Sequence, residues 1–323
     1  MFGQGNVLSP FIFNVFLNDL LKQLEDSPCG LNIGKSKSNS LAYADDIDTF
    51  ATNTRDLQTL VSLCFDYSIK WRFKFGITKS QFFIAGSKNV ELNPVIKLGN
   101  SELTVSDSME ILGKTYSSNG KASEHIYNRM QKCRNALHSV GFRNPELCPR
   151  VKAHLWKSIG LPSLLYSVST GSVTPGQLQL LESFQGHMIK STLYLDKRAR
   201  HSNILHSLGI DSITDLINSQ RVNLLRRVFQ APVSSYSVLC SELISRYYST
   251  GVAPKDTLIG SVIALGLSPI TVALSKTKIY PTKTNIVQSD GLTDSINYIL
   301  QQHIRPGNDQ HMMLRYLTRS FHF

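Results

Sequence analysis

The hydrophobic pattern of this 323-residue sequence changes near residue 118, and this change constrains the fold more than any other feature. In the front part, short extended runs alternate with two amphipathic helical segments. In the back part, apolar residues recur every three or four positions, which is the period of a helix rather than of a strand. The pattern predicts an α+β front followed by an all-helical region.

Two helices and several strands are predicted in the front part. Ser9-Pro10 has the form of an N-cap and a first helical residue, which predicts a helix over residues 10–25. Thr54 is placed to cap a second helix, and Gly76 is placed to end it. Strands are predicted at 31–34, 40–43, 47–51 and 81–84, in a hairpin around Gly99-Asn100, and near 109–116.

Capping residues and prolines mark the helices of the back part. Thr174-Pro175 predicts one helix start, and Ser212 with Asp215 predicts a capping box before a helix over 213–229. Gly-Val-Ala-Pro at 251–254 is typical of a linker. Further helices are predicted along the stripe from Ile126 to Val140, at breaks marked by Pro149 and Pro162, and near 291–303 and 311–321.

The formal net charge of +11 is unevenly distributed. Residues 1–120 hold 11 Lys and Arg against 12 Asp and Glu, residues 121–230 hold 15 against 6, and residues 231–323 hold 8 against 5. A near-neutral front with an acidic cluster, followed by a basic middle, suits an enzyme that pairs metal-binding carboxylates with a track for a polyanion. A solvated basic surface explains the same distribution equally well.

Cysteine spacing and hydropathy exclude several classes of protein. The five cysteines are widely spread and none forms a C-x-x-C pair, which predicts a reduced, intracellular protein, nuclear or cytoplasmic, without structural zinc. No run of 18 apolar residues predicts a membrane span. The apolar start lacks the basic region and the small-residue cleavage site of a secretory signal, so secretion is not expected.

The candidate chemistry centres on Tyr43-Ala44-Asp45-Asp46, at the turn between two predicted strands. Two adjacent carboxylates repel each other, so the pair is costly unless a positive partner offsets the repulsion. In nucleotidyl transfer two divalent ions provide that offset, because they activate the attacking hydroxyl and stabilise the leaving pyrophosphate. The tetrapeptide alone is a weak signal, since Asp-Asp pairs are common in solvated turns.

Three further segments accompany this tetrapeptide in a defined order. Residues 4–14, Gln-Gly-Asn-Val-Leu-Ser-Pro-Phe-Ile-Phe-Asn, precede it, and Trp71 with Thr78-Lys79-Ser80 follows it. Ile111-Leu112-Gly113 comes next. Together the four resemble the Q-G-x-x-L-S-P-x-L-F-N, Y-A-D-D, W…N-x-x-K-S and Y/I-L-G segments of reverse transcriptases, although Gly76 replaces the usual Asn of the third segment.

The resemblance implies a role for each segment. Asp45 would be a metal ligand and Asp46 its partner, with Mg²⁺ or Mn²⁺ as the two ions. The remaining implied site residues are Gln4, Gly5, Tyr43 and Ala44 for template and nucleotide binding, Lys79 for a phosphate contact, and Leu112 and Gly113 at the primer-grip position. The implied partners are an RNA template, a DNA primer and deoxynucleoside triphosphates.

The resemblance continues into the helical part. Residues 159–166, Ile-Gly-Leu-Pro-Ser-Leu-Leu-Tyr, are similar to the segment after the palm in non-LTR, LINE-like elements. The implied organisation is a partial polymerase palm over 1–118, a helical, thumb-like basic region over 119–232, and a C-terminal region of uncertain fold over 233–323. Contacts to the nucleic-acid backbone are expected from Arg129, Lys132, Arg134 and Lys152, with Arg150, Lys157 and the run 197–200 as further candidates.

One part of the family's site is expected to be missing. In the family a third carboxylate lies on a strand before the Gln-Gly segment, and this sequence begins inside that segment. We therefore expect weak metal binding and no polymerisation by this chain alone. Two alternatives remain open: a non-catalytic nucleic-acid-binding remnant of a retroelement, and a splicing factor similar to intron maturases, which shares the polymerase core.

Overall fold

The computed structural model describes residues 7–33, 36–85, 94–120, 122–231, 235–254 and 257–275. The chain divides into two compact units, residues 1–109 and residues 110–323, which we call unit 1 and unit 2. The described residues combine helices with small two-stranded sheets. The helices predicted near 291–303 and 311–321 lie outside the described residues, as do Gln4 and Gly5.

Unit 1 contains two long helices and a series of short strands. The helices are α1 (Ser9–Asp26) and α2 (Thr54–Trp71). The strands are β1 (Leu31–Ile33), β2 (Ser36–Ser38), β3 (Ser40–Tyr43), β4 (Asp46–Thr49), β5 (Gln81–Phe83), β6 (Lys97–Leu98), β7 (Ser101–Glu102) and β8 (Thr104–Ser106), and β9 (Ser108–Ile111) begins at its end.

Both helices of unit 1 were predicted, but their caps differ from the prediction. In α1 the cap position belongs to Leu8, which makes no side-chain cap bond, and Pro10 lies in the first turn, where its missing N–H is not needed. In α2 the cap is Asn53 rather than Thr54, since the Asn53 side chain accepts a 2.8 Å hydrogen bond from the Asp56 N–H.

Helix α2 ends at Arg72 and not at Gly76. Arg72 adopts a left-handed φ of 55°, and its N–H bonds to the carbonyls of the last helical turn. The Phe73 N–H donates to the Ser68 carbonyl at 3.1 Å, completing a Schellman-type end without glycine. The Phe73 ring then packs edge-on against Phe16 of α1, at 5.8 Å between centroids, so aromatic packing stabilises the early turn.

Helix α2 is buried on two sides. One core joins it to α1 through Leu20, Leu24, Leu60 and Cys64. A second core sets Val61 of α2 against Phe82 and Leu98 of the later strands and against Ile96, which directly precedes β6. The helix therefore links the first hairpins of unit 1 to its last strands.

The strands pair mostly with their neighbours in sequence. β1–β2, β3–β4 and β6–β7 are antiparallel pairs, and β5 pairs with β8 in parallel. The predicted hairpin at Gly99-Asn100 is confirmed. Gly99 has a φ of 62° and lies under the Phe65 ring, which leaves no room for a side chain.

The single strand predicted near 109–116 is wrong, because the chain reverses within it. β9 pairs with β10 (Lys114–Ser117). Leu112 and Gly113 between them both have positive φ, at 48° and 78°. Two consecutive left-handed residues make the tight turn that suits a two-residue hairpin.

Unit 2 is helical after β10. Its helices are α3 (Ser123–Ser139), α4 (Pro149–Leu155), α5 (Leu161–Leu165), α6 (Pro175–Thr192), α7 (His201–Ser207), α8 (Ile213–Gln230), α9 (Ser235–Thr250), α10 (Leu258–Ala264) and α11 (Pro269–Leu274). No helix among the described residues has both the length and the apolar character needed to cross a membrane.

Pro149 starts α4 and Pro162 lies in the first turn of α5, both as predicted, and the backbone stays helical between the two. A π-helical turn, Trp156–Gly160, joins α4 to α5, and the Leu161 N–H donates to the Trp156 carbonyl five residues back. Proline has no N–H to continue an ordinary helical ladder, and a π-turn is one way to accommodate that gap. Trp156 is fully buried at this point.

The described residues of unit 2 form two cores, and α8 contributes to both. Its first half, including Ile213 and Ile217, belongs to the core around Trp156. Its second half, including Val222 and Leu225, belongs to the core formed with α9, α10 and α11. The irregular segment 251–254 therefore connects two helices of one core.

The start of α6 is a complete capping box. The Thr174 hydroxyl accepts from the Gln177 N–H at 3.3 Å, and the Gln177 side chain accepts from the Thr174 N–H at 2.9 Å. We expect Thr174→Ala to lower the free energy of unfolding by about 1 kcal/mol, because one helix-end donor loses its partner. The measurement is urea unfolding followed by Trp156 fluorescence in a Trp71→Phe background.

Thr174→Ser is the matched control for this cap, since it keeps the accepting oxygen. It should unfold close to the unsubstituted chain. Equal losses in the alanine and serine variants would show that the methyl group, rather than the cap, matters at this position.

Candidate functional site

The β3–β4 hairpin presents two adjacent carboxylates at its tip. Tyr43 pairs with Asp46 at the end of the ladder, and Ala44 and Asp45 form the turn between them. Ala44 adopts a left-handed φ of 52°, which a two-residue turn of this kind requires. Asp45 and Asp46 are both exposed, so their oxygens are accessible to a cation.

The register sorts the hairpin's side chains into two faces. Tyr43 and Asp46 are paired, as are Leu41 and Asp48, so these four lie on one face. Ile47 lies on the other face and packs against the core between α1 and α2. Ile47 thus attaches the hairpin to that core, and the face that carries Asp46 and Asp48 remains available.

The Asp48 side chain lies on the same face of the hairpin as that of Asp46, as strand alternation predicts. Partial burial raises the pKa of the Asp48 carboxyl, and the nearby Asp46 charge raises it further. Within the part of the chain that the structure describes, no three His, Cys, Asp or Glu side chains are grouped to hold a metal ion. The carboxylates of Asp45 and Asp46 are nevertheless the oxygen ligands that Mg²⁺ prefers.

Lys79 lies in a short 3-10 turn, Ile77–Lys79, between α2 and β5. Its side chain is exposed, and its backbone N–H donates to the Gly76 carbonyl at 2.9 Å. The lysine is therefore free to meet an anion in solvent. Of the template- and nucleotide-binding candidates, Tyr43 and Ala44 lie in the β3–β4 hairpin, whereas Gln4 and Gly5 lie outside the described residues.

The turn at Leu112 and Gly113 is held by Tyr166, a contact that the sequence did not reveal. The Tyr166 hydroxyl donates to the Leu112 carbonyl at 2.7 Å. Its ring lies 3.2 Å from the position that a side-chain carbon on Gly113 would occupy. The sequence offered one signal, the tyrosine that ends the Leu-Leu-Tyr segment, but no indication of the partner 54 residues away.

Two of the four predicted backbone-binding cations are buried. Arg129 is 9% exposed and donates from its guanidinium to the Ser163 carbonyl. Lys152 is 4% exposed and donates to the Thr192 carbonyl at 2.8 Å, at the end of α6. Both cations thus stabilise helix ends, which carry partial negative charge, and face away from solvent.

The other predicted cations lie at the surface. Lys132 is exposed and forms a 2.8 Å ion pair with Glu110, and Arg134 lies over the Phe184 ring at 5.0 Å. The further exposed basic residues of this region include Arg150, Lys157, Lys197, Arg198 and Arg200. The positive charge that a polyanion can reach in unit 2 therefore comes from this second group.

A buried histidine connects the β9–β10 hairpin to α5. The Thr115 N–H donates to His125 Nδ1 at 3.2 Å, which assigns the ring proton to Nε2, and Nε2 lies 3.0 Å from the Tyr166 carbonyl. Burial lowers the pKa of His125 most, the hydrogen bond to the Tyr166 carbonyl opposes this, and the nearby charges of Lys114, Arg129 and Lys132 lower the pKa further, so that the net shift is downward. The neutral ring is therefore the form that this contact requires.

The sequence of residues 2–116 matches the family model described as reverse transcriptase (RNA-dependent DNA polymerase). The chain is 30% identical over 202 residues to the retrovirus-related Pol polyprotein from type-1 retrotransposable element R2 of Popillia japonica, covering 59% of this chain and 27% of the relative. It is 25% identical over 214 residues to the corresponding polyprotein from type-2 retrotransposable element R2DM of Drosophila melanogaster, covering 59% and 18%.

These matches differ in how much of each protein they include. They extend beyond the family model, since 59% of this chain is more than residues 2–116. A further R2 polyprotein of Popillia japonica is 26% identical over 229 residues, covering 63% of this chain and 34% of the relative. The chain thus corresponds to about a third or less of the length of these relatives.

The His125 contact predicts an acid-sensitive fold in unit 2. Because the folded state lowers the pKa of His125, the unfolded chain binds the proton more readily. Stability should be complete above the ordinary histidine pKa of about 6.5 and should fall as the pH drops below it. The measurement is the midpoint of urea unfolding against pH, with Trp156 fluorescence as the probe.

Two variants isolate the contribution of His125. His125→Asn keeps a side-chain oxygen that can accept from the Thr115 N–H and cannot titrate, so the fall below pH 6.5 should flatten. His154→Gln removes an exposed histidine of α4 and should leave the profile unchanged. A profile that flattens in His154→Gln instead would assign the acid sensitivity to a different residue.

Proposed function

We propose that this chain takes part in RNA-directed DNA synthesis as a reverse transcriptase of a non-LTR retrotransposable element, because residues 2–116 match the reverse transcriptase family model and the chain is similar to Pol polyproteins of R2 elements. Its partners in this role are an RNA template, a DNA primer and deoxynucleoside triphosphates. We assign residues 1–118 to a partial palm, 119–232 to a thumb-like basic region, and 233–323 to a C-terminal region, whose described helices share a core with the second half of α8.

One observation carries the proposal. Within the family match, a tight hairpin displays Asp45 and Asp46 side by side and exposed, while Ile47 on its other face is anchored in the core. A rigid mount for two carboxylates is what a metal-dependent transfer needs, since a loosely held ligand loses the geometry that stabilises the transition state.

The chemistry divides between the ions and the protein. Divalent ions, Mg²⁺ or Mn²⁺, when bound by Asp45 and Asp46, would activate the primer hydroxyl and stabilise the departing pyrophosphate. The protein's own contributions are the carboxylate ligands, the exposed Lys79 as a contact for nucleotide phosphates, and Gln4, Gly5, Tyr43 and Ala44 as the platform for template and nucleotide. Leu112 and Gly113 would support the primer end.

We propose that weak metal binding limits polymerisation by this chain. Among the described residues, the hairpin tip carries two carboxylates, Asp45 and Asp46. Asp48 lies on the same face as Asp46 but does not join them as a third metal ligand. Two ions held by so few ligands bind weakly and in poor geometry. Polymerisation by this chain is therefore expected to be slow.

The test is primer extension on an RNA template in Mg²⁺, with this chain and with any longer reading frame that contains it. Asp45→Asn should lower product formation by about 100-fold or more, because a metal ligand is removed. Asp48→Asn is the matched control on the same hairpin, and its effect should be small. Product that forms equally well in Asp45→Asn would contradict the role of this hairpin.

A second candidate function follows from the charge of unit 2. Residues 121–230 hold 15 basic against 6 acidic residues, and many of the basic ones are exposed. These residues could bind RNA or DNA without any catalysis, as a remnant of a retroelement would. This reading predicts binding that weakens steeply with salt and is indifferent to Asp45→Ala.

Exposed and buried cations should differ in a salt titration of nucleic-acid binding. Replacing exposed Arg150 or Lys157 with Ala should lower affinity and reduce the log–log salt slope by about one for each phosphate that the side chain had neutralised. Replacing buried Lys152 with Met should lower the urea midpoint of unit 2 and leave the slope of the remaining folded protein unchanged. Fluorescence anisotropy with a labelled RNA–DNA duplex provides the measurement.

The opposite pattern would mean that other residues form the nucleic-acid-binding surface of unit 2. A reduced salt slope in Lys152→Met, with no change for the exposed pair, would mean that unit 2 rearranges to expose its buried cations on binding. Salt-insensitive binding by the unsubstituted chain would contradict electrostatic recognition altogether.

A further inference from the structure

We propose that Tyr166 is a positioning residue, which holds the Leu112–Gly113 turn in one conformation so that the turn can support the end of the primer strand. The inference rests on the proposed function and adds a residue from the helical part of the chain. Tyr166 has no reacting role in it, because its hydroxyl is engaged with the turn's own backbone.

The turn needs support from outside its own sequence. Leu112 adopts a φ of 48°, a region that residues with a side chain rarely occupy, and it is followed by Gly113 at 78°. Asn, Asp or Gly usually occupies the first position of such a turn, and leucine has no local hydrogen bond to offer there. Leu112 is also 47% exposed, so burial of its side chain does not fix the conformation.

Tyr166 supplies that support with two groups. Its hydroxyl donates to the Leu112 carbonyl at 2.7 Å, which fixes the orientation of the peptide group after Leu112. Its ring lies against Gly113, close enough to limit any side chain there. Arg129 holds the ring in turn, with its guanidinium 4.9 Å from the ring centre and bonded to the Ser163 carbonyl.

The backbone of Tyr166 and the loop that follows are also fixed. His125 of α3 contacts the Tyr166 carbonyl at 3.0 Å, and Lys114 of β10 donates to the Thr170 hydroxyl at 2.9 Å. Arg221 of α8 donates to the carbonyls of Ser169 at 3.2 Å and Gly171 at 2.8 Å. The loop 166–171 is thus attached to β10, α3 and α8, which makes it a firm support for the turn.

If Tyr166 contributed only packing, removal of its hydroxyl would have no effect on the Leu112–Gly113 turn. Tyr166 is 48% exposed and lies outside the buried core, so removal of its oxygen should have little effect on global stability. Tyr166→Phe keeps the ring over Gly113 and beside Arg129, and removes only the bond to Leu112. This variant therefore separates positioning from folding.

Hydrogen exchange on the chain without nucleic acid tests the hydrogen bond itself. Tyr166→Phe should speed exchange at the amides of residues 112–115, while the urea midpoint and the exchange of α6 stay unchanged. Tyr127→Phe, which removes an exposed hydroxyl from α3 of the same unit, is the control and should alter neither. Unchanged exchange at 112–115 in Tyr166→Phe would overturn the proposal.

Photocrosslinking tests its use by the primer. A DNA primer that ends in 4-thiothymidine, annealed to an RNA template with Mg²⁺, should crosslink to residues 108–117 of the unsubstituted chain. In Tyr166→Phe that crosslink should fall several-fold at unchanged duplex affinity, and in Tyr127→Phe it should persist. Bound duplex that crosslinks 108–117 equally in both variants would overturn positioning while leaving the proposed function intact.

Absence of duplex binding by the unsubstituted chain is a different result. It would remove the proposed function, and with it the role of the turn in primer support. The exchange experiment would still report whether Tyr166 holds the turn.

Discussion

Unit 2 depends on basic side chains that donate to backbone carbonyls. Arg129 bonds to Ser163, Lys152 to Thr192, and Arg221 to Ser169 and Gly171, and each bond joins segments 34 or more residues apart. A charge taken out of water is costly unless it is hydrogen-bonded, and the carbonyls at helix ends and in loops lack backbone partners. The same bonds therefore satisfy both groups and connect the helices on which they lie.

These bonds also explain why the charge distribution was an incomplete guide. The surplus of basic residues in 121–230 pointed correctly to a region rich in positive charge. Which of those residues face solvent depends on hydrogen bonds to carbonyls that are distant in sequence. Local sequence patterns do not indicate such long-range contacts. Lys152 and Lys157 are five residues apart, and one is buried while the other is exposed.

Much of the fold could be predicted where the signal was local. The apolar stripes of α1 and α2, the Gly99-Asn100 hairpin and the helix start at Thr174 all arise within a few residues, and all are present. The end of α2 at Arg72 and the reversal at Leu112 could not be predicted, because no glycine marks the first and leucine is unusual in the second. Packing by Phe16 and a hydrogen bond from Tyr166, both distant in sequence, act at those positions.

In the candidate site, too, the features set by local sequence could be predicted, and those set by distant contacts could not. The motif identified the hairpin that carries Asp45 and Asp46, and the pairing register places both as a strand–turn–strand requires. Ala44 and Leu112, in separate units, share a feature that the motif did not convey: each is a non-glycine residue held at positive φ in a two-residue turn. Strained backbone of this kind persists where surrounding contacts determine it, and it is concentrated at functional sites.

The buried cations have a consequence for how selection acts on this protein. A substitution at Arg129 or Lys152 would be selected against because it destabilises unit 2, whether or not the proposed nucleic-acid binding is still in use. Exposed residues such as Arg150 and Lys157 would be retained only while the proposed nucleic-acid binding is useful. In a lineage that keeps the fold but no longer uses that proposed binding, the surface charges should drift first and the internal ones last.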